Sequence, residues 1–216
     1  MRFVSLLFAT AMTLNPLVAV AQTANQGGPL IDYGTRFIPE IAARGMVSGP
    51  EKLASEAGLS MLKQGGNAVD AAVATGFALA VTLPRAGNLA GGGFMLVHLA
   101  KTDEQVFIDY REMAPASASR DMFLNEDGTV NKQMAYNSPS AAGIPGTVAG
   151  MIHALENYGT LDLKTVIQPA IELAEQGLRV PAALHLNLRA ATKRLARNEE
   201  ANRIYLAGTG TAPAMG

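Results

Sequence analysis

The sequence predicts a mixed α/β protein in which helices pack on a sheet, and three observations carry that reading. First, Phe94–Ala100 and Val106–Tyr110 are apolar segments of strand length, joined by the polar connection Lys101–Glu104. Such a pair suits a hairpin. Second, the stretch from Ala68 to about Thr82 is helical in length and apolar on every side apart from Asp70 and two threonines. A helix without a polar face is buried, and this one is too short to span a bilayer. Third, the region after the hairpin carries helical patterns rather than further strands.

The helical signals begin at Ser48-Gly49-Pro50, with Pro50 suited to a first turn. Leu53, Ala57 and Met61 recur every four residues, with Lys52, Glu56 and Lys63 on the opposite face, and Gly65-Gly66 ends that helix. Asn67 is placed to cap the buried helix, and Asp70 follows at its third position. Capping explains Asp70 better than a catalytic acid does. Further on, Asn125–Gly128 reads as a turn and Asn137–Gly146 as a Ser/Pro/Gly loop. Helices are expected over Thr147–Asn157 and Leu163–Gln176, the second bent or divided at Pro169, and from about Pro181 to Glu200. Gly208–Gly216 reads as a loop.

Composition narrows the function. Of 216 residues, 49% are hydrophobic and 16% charged, so a packed core is expected rather than disorder. A net charge of −1 gives no general attraction to nucleic acid or anionic lipid. No cysteine is present, which excludes disulfides, zinc–thiolate sites and cysteine nucleophiles. His98, His153 and His185 stand far apart and lack metal-ligand spacing. The basic run Arg189, Lys193, Arg194 and Arg197 reads as a solvated helix face. Ser60-Met61-Leu62-Lys63 fits a Ser-x-x-Lys pattern but sits at the wrong end of its helix.

At the N-terminus, Arg2, the apolar run Phe3–Val20 and the small-x-small sequence Ala19-Val20-Ala21 read as a secretory signal peptide over residues 1–21. The protein is therefore expected to be exported, to the periplasm or beyond. No membrane association is expected after cleavage. Residues 22–44 read as an extended arm, with the folded part over 45–216.

The chain is organised around Gly87–Pro115. The glycine run Gly91-Gly92-Gly93 leads into the hairpin, and it serves either as a sharp turn or as a set of backbone amides for an anion. Pro115 cannot donate to a ladder, so the second strand stops before it and leaves Arg111 at its end. An arginine there can grip a carboxylate through its planar fork, or simply pair with Asp109 or Glu112. The local pattern alone favours the surface pairing.

Several motifs, in order, resemble the γ-glutamyltranspeptidase family (glutathione hydrolases). They are Gly65-Gly66-Asn67-Ala68-Val69-Asp70-Ala71-Ala72, Gly87-Asn88-Leu89-Ala90-Gly91-Gly92-Gly93-Phe94-Met95 and Asp109-Tyr110-Arg111-Glu112-Met113-Ala114-Pro115. Pro145-Gly146-Thr147-Val148-Ala149-Gly150 and Tyr158-Gly159-Thr160 continue the match. Ala90 stands where many members carry another glycine.

The resemblance implies an N-terminal-nucleophile hydrolase, an αββα four-layer sandwich of which this chain would form an incomplete part. It implies a precursor that cuts itself into large and small subunits, with no cofactor. The threonine freed at the cut would take the γ-glutamyl group of glutathione and pass it to water or to an amino-acid or peptide acceptor. It assigns Arg111 to the α-carboxylate of the γ-glutamyl group. No Asn-Thr-Thr-His-type cleavage motif occurs, so the nucleophile is expected outside this chain, which would be inactive alone and matches the N-terminal part of a large subunit. Two alternatives stand beside this reading: a related acylase acting on cephalosporin or poly-γ-glutamate, and a truncated non-catalytic paralogue.

Overall fold

Two helices and a hairpin build most of the core. The computed structural model describes residues 39–216, so the expected signal peptide and most of the expected arm lie outside the described residues; 39–44 carry no helix or strand. Helix α1 (Lys52–Lys63) starts two residues later than its proline suggests. Glu51 is the N-cap, its carboxylate accepting from the Leu53 amide at 2.9 Å, and Pro50 stands just outside. A side-chain acceptor fixes this start, and a proline ring supplies none. Gly65, at φ 91°, then turns the chain, and the Gly66 amide closes on the Met61 carbonyl at 3.0 Å.

Helix α2 (Ala68–Thr82) is the central element and packs against α1, α4 (Thr147–Tyr158) and α5 (Leu163–Gln176). Val73, Ala74, Phe77 and Ala78 are buried there, as the absence of a polar face predicts. Asn67 and Asp70 form a reciprocal capping box at its start.

Strands β1 (Phe94–Leu99) and β2 (Glu104–Asp109) pair antiparallel, with Leu96 opposite Phe107 and Val97 opposite Val106. Side chains alternate across the sheet, so Val97 and Ile108 enter the core beside Met95, Leu99 and Val106. The opposite face is apolar too. Phe94, Leu96 and Phe107 are 54%, 70% and 62% exposed, and the two phenyl rings stack at 5.7 Å. Ile108, next to Phe107 in the same strand, lies on the covered face because the strand period places it there. A sheet apolar on both faces is built to be covered on both. This 216-residue chain, expressed by itself, is therefore expected to bind a hydrophobic dye. Replacing Leu96 and Phe107 with lysine should reduce that signal, and dye binding that ignores both changes would contradict it.

Three later elements differ from the sequence reading. Helix α3 (Lys132–Asn137), capped by Asn131, has no buried residue and hence no apolar stripe to reveal it. Of the expected bend or division at Pro169, the division does not occur: helix α5 runs through the proline, because Val166 and Ala170 bury on either side of it and Asp162 caps the start. That packing offsets a cost of about 3 kcal/mol for an interior proline. The expected helix from Pro181 to Glu200 is two helices, α6 (Ala182–Leu195) and α7 (Glu199–Tyr205). Asn198 interrupts it by accepting from the Ala201 amide at 2.9 Å and starting a new helix. Residues 42–216 form one unit, and among the described residues no helix is long and apolar enough to cross a membrane.

Candidate functional site

Arg111 lies just past β2, one residue beyond Tyr110, because the strand ends at Asp109 rather than at Tyr110, and its side chain is exposed. Asp109 is occupied otherwise than surface pairing predicts. Its Oδ1 accepts from the Arg111 backbone amide at 3.0 Å, and among the described residues no ion pair involves the guanidinium. That bond holds the backbone of Arg111 and leaves its side chain exposed.

Two other segments press on this one. The glycine run lies against the strand end: the Tyr110 amide donates to the Gly93 carbonyl at 3.1 Å. A Cβ on Gly92 would come within 2.6 Å of the Glu112 nitrogen and 2.7 Å of the Tyr110 oxygen. The start of α4 closes from the other side. The Gly146 and Thr147 amides both donate to the Gly91 carbonyl, at 2.8 and 2.9 Å, and a Cβ on Gly146 would strike the Tyr110 carbonyl. The carbonyls of the glycine run tie the end of β2 to the start of α4. Between β2 and α4 lies a cleft of about 510 Å³, lined by Asp109, Tyr110, Arg111, Gly146, Gly150 and His153. Burial pushes the Tyr110 phenol above its usual value, so it stays neutral at ordinary pH.

Asp70 has a different task. It is fully buried. Its two carboxylate oxygens accept from the Asn67 amide at 2.6 Å, the Thr160 hydroxyl at 2.7 Å, the Thr160 amide at 2.9 Å and the Leu161 amide at 3.0 Å. Burial alone would raise its pKa, but those bonds outweigh it and hold the group below its ordinary 3.8. The capping role read from the sequence is present, and a clamp onto the α4–α5 turn is added to it. The Asn67 side-chain Nδ2 donates to the Tyr158 carbonyl at 2.7 Å in the same clamp.

The histidines do not converge. His98 is exposed on β1, His153 sits 3.2 Å from the Asn157 side-chain nitrogen, and His185 Nδ1 lies 2.7 Å from the Pro213 carbonyl. Among the described residues no group of three or more His, Cys, Asp or Glu side chains is placed to hold a metal. Arg189, Lys193, Arg194 and Arg197 are exposed, as a solvated face should be. Sequence reasoning missed Tyr110 and Gly150 as parts of one contact. The usable signal was a glycine inside a helix, which is costly unless something must come close.

The γ-glutamyltranspeptidase family model matches residues 54–216, three quarters of the chain and all of the elements above except the first two residues of α1. The chain belongs to the γ-glutamyltranspeptidase family. It is 48% identical over 175 residues to the glutathione hydrolase proenzyme of Escherichia coli (strain K12), covering 80% of this chain and 30% of that protein. Its fold matches the γ-glutamyltranspeptidase of Helicobacter pylori with a TM-score of 0.79 at 41% identity, over 82% of this chain and 51% of that one. A Pseudomonas protein (strain V22) described as an acylase proenzyme is 39% identical over 155 residues, 69% of this chain and 28% of its own length. The chain thus spans under a third of the curated relatives and about half of the solved γ-glutamyltranspeptidase. The family is one of enzymes, and the mixed α/β architecture expected from the sequence is the one found.

Proposed function

We propose that the protein is an exported γ-glutamyltransferase and glutathione hydrolase, and that Arg111 binds the α-carboxylate of the γ-glutamyl donor. The observation that carries this is the exposed Arg111 just past β2, its backbone amide bonded to Asp109 and the residue itself among those lining the cleft between β2 and α4. The greater likeness to the E. coli glutathione hydrolase proenzyme than to the Pseudomonas acylase favours glutathione over an acylase substrate.

In this reading the segment forms the donor side of the site within the large subunit of a self-cleaving precursor. A threonine from outside this chain, deprotonated through its own α-amine, attacks the γ-carbonyl carbon. The amide C–N bond breaks and cysteinylglycine leaves with a proton. Water or the amine of an amino acid or peptide then attacks the γ-glutamyl ester, releasing glutamate or a new γ-glutamyl amide. Arg111 fixes the donor's α-carboxylate so that the γ-carbon meets the nucleophile. The full-length protein incubated with glutathione should yield glutamate and cysteinylglycine, and a dipeptide acceptor should become γ-glutamylated. Glutathione left intact by a correctly processed protein would sink the proposal.

Export rests on the charged, apolar and small-residue succession over residues 1–21. N-terminal sequencing of secreted material is expected to begin at or near Gln22. A mature protein that retains Phe3–Val20 would contradict it.

A further inference from the structure

We infer that Tyr110 and Gly150 are positioning residues that set Arg111, and with it the preference for donors bearing a free α-carboxylate. The inference rests on the proposed role of Arg111 and adds to it the device that holds the arginine in place. Gly150 lies inside α4, where glycine disfavours the helix relative to alanine. The reason for it is visible: a Cβ there would meet Tyr110 Cδ1 at 2.6 Å and would overlap its Cβ and Cγ. The Tyr110 ring also lies over Gly93, whose added Cβ would fall 2.9 Å from Tyr110 Cε2. Four glycines, Gly92, Gly93, Gly146 and Gly150, thus surround one tyrosine and the peptide that follows it.

Tyr110 is the residue immediately before Arg111, so any shift of its ring against α4 moves the arginine's Cα. The phenol contributes little to this. Among the described residues its one hydrogen bond is long, 3.4 Å to the Phe94 carbonyl, so the ring and not the hydroxyl is the positioning element. A carboxylate fork needs both oxygens aligned, and a misplacement of about 1 Å can cost 100-fold in such a contact.

The test uses the full-length processed protein and two chromogenic donors: γ-glutamyl-p-nitroanilide and its analogue with a carboxamide for the α-carboxylate. The quantity read is the ratio of kcat/KM for the first over the second. Gly150→Ala and Tyr110→Leu should each lower that ratio about tenfold or more, mainly through KM for the carboxylate donor. Tyr110→Phe should keep the ratio. Gly76→Ala should keep it too, because that mid-helix glycine meets only the flexible end of Met151 and touches nothing near Arg111.

A ratio unchanged in Tyr110→Leu, or lost equally in Tyr110→Phe, overturns the inference, whether or not Gly150→Ala is processed. If the unaltered protein shows no preference for the carboxylate donor, the role of Arg111 fails first and the inference falls with it. If it shows the preference and every variant keeps it, the positioning inference alone fails.

Discussion

Arg111→Ala in the full-length, processed protein is expected to lower kcat/KM for glutathione about 30- to 1,000-fold. A bidentate charge-assisted contact to a carboxylate supplies about 2–4 kcal/mol of transition-state binding, and the truncation removes all of it. Arg111→Lys should recover only part, because an ammonium is a point charge and cannot reproduce the planar fork. The loss should not come from misfolding. The Arg111 side chain is exposed, and the bond to Asp109 uses the backbone amide, which survives either substitution. Steady-state rates and a melting curve on the same preparation check both halves. Unchanged kcat/KM for Arg111→Ala would make the residue structural.

The largest stability effect is expected at Asp70. Asp70→Ala strands the Asn67, Thr160 and Leu161 amides and the Thr160 hydroxyl, all partners of a buried carboxylate in a part-buried turn. Losing a buried, fully hydrogen-bonded carboxylate should cost about 3–5 kcal/mol, a large share of a typical stability of about 5–15 kcal/mol. Asp70→Asn keeps the shape but loses the charge and one acceptor, and should cost about 1–3 kcal/mol. The pH dependence follows from the direction of the shift. The folded-state pKa lies below the unfolded value, so the contribution is complete above about pH 4 and is lost as pH falls through the folded pKa. Denaturant midpoints of the wild type and Asp70→Asn should therefore converge on acidification. A gap that stays constant from neutral pH down to acid would show that the carboxylate charge is not what stabilises the turn.

These two residues show what a sequence discloses and what it withholds. The cap by Asn67 and Asp70 was legible because its partners lie within one helical turn, where spacing is geometry. The clamp on Thr160 and Leu161 was not, since only the packing of α2 against the α4–α5 turn brings them together. Arg111 could be placed because a proline and a strand period are local signals. Tyr110 against Gly150 could not, because the contact joins a strand end to a helix far along the chain. The alternation of Val97 and Ile108 inward with Phe94, Leu96 and Phe107 outward is a period-two pattern, yet both faces are apolar. Composition alone therefore could not say which face was covered. Asn198 divided a helix that reads as continuous, because a capping side chain outweighed the weak propensities around it.

The most direct measurement of the central claim is a competition between two amides. The full-length, processed protein would be given glutathione and a cephalosporin side-chain amide at equal concentration, and the products followed by mass spectrometry. An α-carboxylate grip by Arg111 on a γ-glutamyl donor predicts glutamate and cysteinylglycine from glutathione, with the cephalosporin largely intact. Release of the cephalosporin side chain while glutathione persists would contradict it and assign the site to an acylase.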